Sequence, residues 1–209
     1  MRTRVVSGIA ALGLAAAFLT ACASDSGTGR EVVATVNGAP IVQAELERAM
    51  NTARAGVAAA NGGAIPADRL RAEGLALAVR EKVLRLWARE EGLIEDVGEA
   101  AFAAALAAEN RRREQARASG RPLPGVPSYD VYTFAGLRAA ELRKALADRL
   151  DLPADRVRAH YAELVERASG EAPSFAAAEQ RVRLSLAERE ITLELDRRVK
   201  AAEVSQAPP

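Results

Sequence analysis

The sequence is poor in the residues that build disulfides, metal centres and large aromatic surfaces. It has one cysteine, one histidine and one tryptophan among 209 residues, and aromatic residues make up only 4% of the chain. A disulfide requires two cysteines, and structural zinc sites are built from several cysteine and histidine ligands. The sequence therefore excludes an intramolecular disulfide, and we expect neither a metal nor another cofactor.

Neither sign of charge dominates the chain. Lysine and arginine number 29 against 28 aspartates and glutamates, and removal of Arg2 and Arg4 with the leader described below would leave 27 against 28. Nucleic-acid-binding proteins usually carry a clear basic excess or a basic patch, so we expect no nucleic-acid partner. The phosphate-binding sequence G-x-x-x-x-G-K-[ST] is also missing, so we expect no nucleotide-driven release cycle.

What the sequence does contain is typical of a helical globular protein. Hydrophobic residues make up 49% and charged residues 27% of the chain, and alanine and leucine supply most of the apolar content. Both have high helix propensity, and alanine lets neighbouring helices pack closely. The composition therefore predicts a mainly α fold.

The first 21 residues have the parts of a secretory signal peptide. Arg2 and Arg4 are followed by an apolar run from Val5 to Leu19, which is short for a membrane-spanning helix. The sequence Leu19-Thr20-Ala21-Cys22 resembles the lipobox of bacterial lipoproteins, in which the cysteine receives a diacylglycerol and becomes the new N-terminus. We therefore expect lipidation at Cys22 and an extracytoplasmic location, anchored by lipid to the cell membrane. The alternative is an ordinary signal peptide with Cys22 as an incidental small residue.

The remaining chain divides into three parts. Residues 22–30 are small and polar, as in a flexible tether. Residues 31–205 are expected to form a single helical domain, and residues 206–209 a disordered tail.

The domain begins with a predicted β-hairpin. Val32 to Val36 is rich in β-branched residues, and Asn37-Gly38 is the favoured pair for a two-residue hairpin turn. A two-stranded hairpin is marginally stable alone, so a further strand or a helix layer is needed. We expect the rest of the chain to supply it, and the short segment Ala202 to Ser205 could form a strand.

Apolar residues recur at helical spacing through the rest of the domain. Trp87 is expected in the core, and Ser128 is a candidate N-cap. Six helices are predicted: one from the hairpin to Ala60, then about 66–92, 97–119, 128–152, 153–169 and 174–201.

Tyr129, Tyr132 and Phe134 cluster beside a proline-rich loop and are the candidate residues for binding an apolar partner. The alternative is that they are core residues that close the turn. Arg111, Arg112 and Arg113 could bind an anion, or they could form a solvated face paired with acidic neighbours. The lone His160 is expected on the surface or at a helix cap, although catalysis is the alternative.

The two ends and the middle of the chain together resemble the exported foldases of the SurA and PrsA type. The opening segment VVATVNGAPIVQAELERAM is similar to the N-terminal signature of that family, a valine-rich strand and an Asn-Gly turn before a helix with Glu-Leu. LPADRVRAHYAEL and SFAAAEQRVRLSL with KAAEV are similar to its later helices and terminal strand, and ENRR before the glycine-proline loop resembles its lipoprotein branch. The resemblance implies a SurA N-terminal-like chaperone fold, with a small β element that joins the hairpin to the C-terminal strand.

Two features depart from the family pattern. Val42 stands where members usually have a serine or threonine cap, which implies a weaker helix start. Many members carry a parvulin-type prolyl isomerase domain before the last helix, whereas only residues 170–173 lie at that place here.

The resemblance therefore implies a membrane-anchored chaperone that binds unfolded or newly exported polypeptides and has no catalytic residues. Two other functions are open. One is a helical lipoprotein that docks a specific envelope partner, and the other is a prolyl isomerase with an unrecognised site.

Overall fold

The computed structural model describes residues 29–168 and 170–207, which form six α-helices and a three-stranded sheet. The elements in chain order are β1 Val32–Val36, β2 Ala39–Val42, α1 Gln43–Ala60, α2 Ala67–Glu90, α3 Glu99–Ala118, α4 Val131–Ala147, α5 Ala154–Arg167, α6 Phe175–Ala201 and β3 Val204–Gln206. The prediction of a mainly α fold with a small β element is confirmed.

The expected leader 1–21 and Cys22 lie outside the described residues, as does most of the tether. None of the described helices is long and apolar enough to cross a membrane.

The small sheet joins the two ends of the domain. Its strand order is β2-β1-β3, with both pairs antiparallel. Asn37 and Gly38 have φ angles of 49° and 76°, the positive values that a tight two-residue hairpin requires. The predicted pairing of the terminal segment with β1 is confirmed, and Thr35 lies opposite Ser205.

The third strand starts and ends later than predicted. Asn37 fixes this position: its backbone N–H donates to the Glu203 carbonyl at 2.9 Å, and its side-chain Oδ1 accepts from the Glu203 N–H at 2.8 Å. Residues 202 and 203 therefore complete the approach from α6, and β3 begins at Val204. Gln206, expected in the disordered tail, belongs to the sheet.

Two hydrophobic cores share α6. The larger packs Val36 and Ile41 of the sheet against Trp87 of α2 and Leu195 of α6, and the smaller packs the first half of α6 against Val157 of α5. The predicted core position of Trp87 is confirmed, since it is 5% exposed. Because α6 contributes to both cores, this one helix joins α5 to the part of the domain that carries the sheet.

Helices α1 and α2 approach each other closely at Gly74. A Cβ atom at Gly74 would lie 3.0 Å from the backbone N and Cα atoms of Met50, closer than packed side chains tolerate. Glycine at this helical position therefore permits the close crossing of the two helices.

Candidate functional site

The structure separates the three aromatic residues that were expected to form one contact surface. Phe134 is 5% exposed, and its ring centroid lies 5.5 Å from that of Phe102. The assignment of Phe134 to partner binding is therefore wrong, because the side chain is used to pack α4 on α3. Tyr132 is 48% exposed and is free to contact a partner.

Tyr129 is half-buried and held by Arg113. The Arg113 guanidinium lies 4.1 Å from the centre of the Tyr129 ring, and its Nη2 donates to the Tyr129 hydroxyl at 2.5 Å. Nη1 of Arg113 donates to the carbonyls of Pro124 and Val126 at 3.0 and 2.8 Å. Both the ring face and the hydroxyl of Tyr129 are therefore occupied within the protein.

The solvated-face prediction for the three arginines fails at Arg113, which is 8% exposed. It is correct for Arg111 and Arg112, which are exposed. The Arg112 guanidinium donates to Glu109 and lowers the pKa of that carboxyl. The expected helix cap at Ser128 is also corrected, because Asp130 Oδ1 accepts from the backbone N–H groups of Tyr132 and Thr133.

An open groove of about 610 Å³ lies between α4 and the middle of α6. Several of its lining residues are alanines, and their small side chains leave space between the two helices. Leu184 of α6 projects into this groove with 53% of its surface exposed. The apolar residues that line it are Ala140, Ala147, Leu150, Leu152, Leu184, Ala187 and Ile191.

Charges of both signs surround this apolar floor. Lys144 and Asp148 pair with each other at 2.6 Å, and Arg183 donates to the Leu152 carbonyl at 2.8 Å. The side chains of Arg143 and Glu188 form no hydrogen bond or ion pair with another described residue. The rim therefore offers charges of both signs to a bound chain.

A second groove, of about 420 Å³, lies between α5 and the first half of α6. His160 lies behind it and is 5% exposed, so the surface position expected for this residue is wrong. Its Nε2 lies 3.1 Å from the Oγ of Ser185, which lines the groove. Sequence reasoning missed Ser185 because nothing local relates it to a histidine 25 residues earlier.

Metal binding finds no support in the described residues. No group of three or more histidine, cysteine, aspartate or glutamate side chains among residues 29–168 and 170–207 is placed to hold an ion.

The strand-turn-strand-helix order at the start of the domain agrees with a known protein family. The model of that family, described as the SurA-like N-terminal domain, matches residues 1–111, slightly more than half of the chain. The chain belongs to this family. Searches of curated proteins and of solved structures gave no match.

Family membership confirms the resemblance of the N-terminal half of the chain to the SurA-type family. The matched region includes the hairpin, α1, α2 and α3 as far as Arg111. SurA-like domains are extracytoplasmic and chaperone-like, which gives the class of function for this chain.

Proposed function

We propose that this protein is a lipid-anchored extracytoplasmic chaperone that binds unfolded or newly exported polypeptides and has no isomerase domain. The groove between α4 and α6 is the observation that carries the proposal. Its floor is apolar and open, and charged side chains of both signs, among them Arg143 and Glu188, line its rim. Such a surface can bury apolar side chains of many different sequences, because the hydrophobic effect is not directional.

The size of the groove suits weak and reversible binding. Full burial of one large apolar side chain contributes roughly 1.5–3 kcal/mol. Two or three such side chains are largely offset by the loss of translational freedom and the ordering of a flexible client, which together cost about 4–15 kcal/mol. Clients would therefore dissociate rapidly without a nucleotide-driven step.

Tyr132 is a second candidate contact. It is the exposed member of the aromatic cluster and lies at the start of α4, the helix that forms one wall of the groove. We propose that it extends the apolar surface offered to a client.

Cys22 would carry the lipid, and residues 22–30 would connect it to the domain. A fully extended tether of this length reaches roughly 30 Å. The domain would therefore stay close to the membrane surface, where exported chains emerge.

The connection between α5 and α6 supports a function without prolyl isomerisation. The two helices are joined by residues 168–174. Independent domains typically need at least about 50 residues, so this connection has no room for an inserted catalytic domain.

An aggregation assay tests the proposal. The purified lipidated protein is added in increasing amounts to a chemically unfolded model client that aggregates on dilution. Light scattering should fall as the molar ratio rises, and unchanged scattering at large excess would contradict the chaperone function.

Two further measurements distinguish the alternative functions. The rate of a proline-limited refolding reaction should equal the uncatalysed rate, and acceleration would instead support an isomerase. A pull-down should recover a broad set of unfolded chains, whereas one stoichiometric folded partner would support a docking lipoprotein.

A further inference from the structure

Three polar side chains form a row in space between α5 and α6, away from the groove between α4 and α6 that is used in the proposed function. The Ser185 Oγ lies 3.1 Å from His160 Nε2, and His160 Nδ1 lies 3.8 Å from Glu163 Oε2. The order is hydroxyl, imidazole and carboxylate, with the imidazole in the centre and almost fully buried. This is the order of groups that activates a serine nucleophile.

The surroundings of His160 favour one tautomer. Nδ1 is buried and has no hydrogen-bond partner within the described residues, and the nearest ionic group facing it is the Glu163 carboxylate. A hydrogen bond from Arg189, at 2.7 Å, lowers the pKa of Glu163 and keeps that carboxylate charged. A negative charge facing Nδ1 favours a proton on that nitrogen. Nε2 then carries the lone pair and accepts the Ser185 hydroxyl hydrogen.

The groove beside Ser185 has the lining that an apolar acyl chain requires. Its walls include Leu164 and Val165 of α5 and Val182 of α6, and the connection that ends at Pro173 closes it. The Tyr161 hydroxyl donates to the Pro173 carbonyl at 2.7 Å and holds this closure in place. An acyl chain in this groove would place its carbonyl carbon near the Ser185 hydroxyl.

Arg181 supplies a positive charge to the same groove. It precedes Ser185 by one helical turn, so the two side chains share a face of α6, and both line the groove. Its guanidinium forms no hydrogen bond or ion pair with another described residue. The backbone N–H groups in the interior of α6 serve the helix, so an acyl oxygen would need a side-chain donor, and Arg181 is the cation that lines the groove together with the Glu171 carboxylate.

We propose that Ser185 is a nucleophile, His160 its general base and Glu163 the charge that favours the proton on Nδ1 of that base, for the hydrolysis of esters with apolar acyl chains. Ser185 Oγ bonds to the acyl carbon and its proton passes to His160 Nε2. The ester C–O bond breaks, and the alcohol leaves with that proton. Water, activated by His160, then releases the carboxylic acid and restores the serine.

Active-site labelling tests the nucleophile. The full-length protein is treated with an alkyl fluorophosphonate, and peptide mass spectrometry measures the extent of labelling at each serine. Ser185 should be labelled at least about 100-fold faster than Ser174, which caps α6 and has no histidine neighbour, because a positioned general base contributes roughly 10²–10⁴-fold. Equal labelling of Ser185 and Ser174 would overturn the proposal.

Ester hydrolysis tests the groove. The protein should hydrolyse p-nitrophenyl octanoate faster than p-nitrophenyl acetate, and Ser185→Ala should reduce both rates to those of buffer. An unchanged rate in Ser185→Ala, with circular dichroism that matches the parent protein, would overturn the assignment.

The role of Glu163 has a matched control in Glu190. Both carboxylates pair with an arginine across α5 and α6, at 2.7 Å in each case, but only Glu163 faces His160. Glu163→Gln should lower the labelling rate at least about tenfold, because it removes the negative charge that favours the proton on Nδ1 of His160. Glu190→Gln should leave the labelling rate unchanged. Equal effects of the two variants would show that Glu163 has only a structural role.

Nitrogen NMR of the imidazole reports directly which ring nitrogen of His160 carries the proton. The chain has a single histidine, so the imidazole signals of the tag-free protein need no assignment. The proton should reside on Nδ1, and Glu163→Gln should shift the population toward Nε2–H. A parent protein with its proton on Nε2 would contradict His160 as the base.

Discussion

Glu45 and Lys82 form an ion pair of 2.8 Å between α1 and α2, with only 3% and 1% of their side chains exposed. Arg85 contacts the same Glu45 oxygen at 2.9 Å, and Lys82 also donates to the Val97 carbonyl at 3.2 Å. The other Glu45 oxygen accepts from the Val42 N–H at 3.0 Å, which satisfies a free donor at the start of α1. Glu45 therefore connects the hairpin, α1 and α2 in one buried cluster.

Removal of the Glu45 charge should strongly destabilise the domain. Burial already lowers the pKa of Lys82, and Glu45 opposes that effect. Glu45→Gln would leave two cations without their carboxylate, and loss of one partner in a buried pair costs about 3–5 kcal/mol. Urea unfolding at pH 7 measures this change.

The double variant Glu45→Leu with Lys82→Met should recover part of that loss, because it removes the buried charge of Lys82, while Arg85 and the Val42 N–H still lose their carboxylate partner. Glu47→Gln is the matched control on the same helix. Glu47 is exposed, so its substitution should change the free energy of unfolding by less than about 0.5 kcal/mol. A loss of unfolding free energy in Glu45→Gln as small as that in Glu47→Gln would contradict the role of the cluster.

Glu81 should give the domain a distinct pH dependence. Burial raises the pKa of this carboxyl above its ordinary value of 4.5, with Arg85 opposing the effect. The folded state then binds the Glu81 proton more tightly than the unfolded state does. Its contribution to stability is present below pH 4.5 and is lost as the pH rises through the raised pKa.

Glu81→Gln removes this titration. The stability of the parent protein relative to Glu81→Gln should therefore fall between pH 4 and pH 7, as measured by urea unfolding at each pH. A difference between the two proteins that stays constant with pH would show that the Glu81 pKa is not raised.

Asn37 should stabilise the closure of the sheet through two separate effects. Asn37→Gly keeps the positive φ angle but loses the side-chain acceptor for the Glu203 N–H, which costs about 1 kcal/mol. Asn37→Ala loses the same acceptor and adds about 1 kcal/mol or more of left-handed backbone strain. Urea unfolding should rank the parent above Asn37→Gly and Asn37→Gly above Asn37→Ala, and Asn37→Gly as stable as the parent would exclude the role of the Glu203 contact.

Arg113 should protect the proline-rich loop from proteolysis. Lysine lacks the fork of donors that reaches Pro124, Val126 and Tyr129 together, so Arg113→Lys should free residues 120–127. Limited proteolysis should cut Arg113→Lys faster in this loop. Arg111→Lys is the control, since Arg111 forms no hydrogen bond or ion pair with another described residue, and equal cleavage of the two variants would argue against the anchor.

The sequence was sufficient for features that depend on local residues. The β-branched run of β1 and the Asn37-Gly38 pair have few alternatives to a hairpin, and glycine or proline marks most helix ends. The third strand is exposed and only three residues long, so its pairing with β1 was inferred from the resemblance of both chain ends to one family.

The burial of single polar residues could not be predicted from the local sequence. His160 and Arg113 both lie on helices with polar sequences, and each is buried by a segment that no local pattern connects with it. Gly74 also gave no signal, because the close approach of Met50 depends on how α1 crosses α2. Phe134 was ambiguous for the same reason, since its partner Phe102 lies on another helix.

Leu184 and Leu193 allow the most direct test of the chaperone groove. Both are leucines of α6 with nearly equal exposure, 53% and 54%, but only Leu184 lines the groove between α4 and α6. Binding of a fluorescent unfolded polypeptide to the purified protein is followed by anisotropy for Leu184→Glu and Leu193→Glu. Leu184→Glu should weaken binding at least about tenfold, because it places a charge against the apolar part of the client. Leu193→Glu should bind as the parent does, and parent-like binding by Leu184→Glu, or equal losses in both variants, would contradict the groove as the site of client binding.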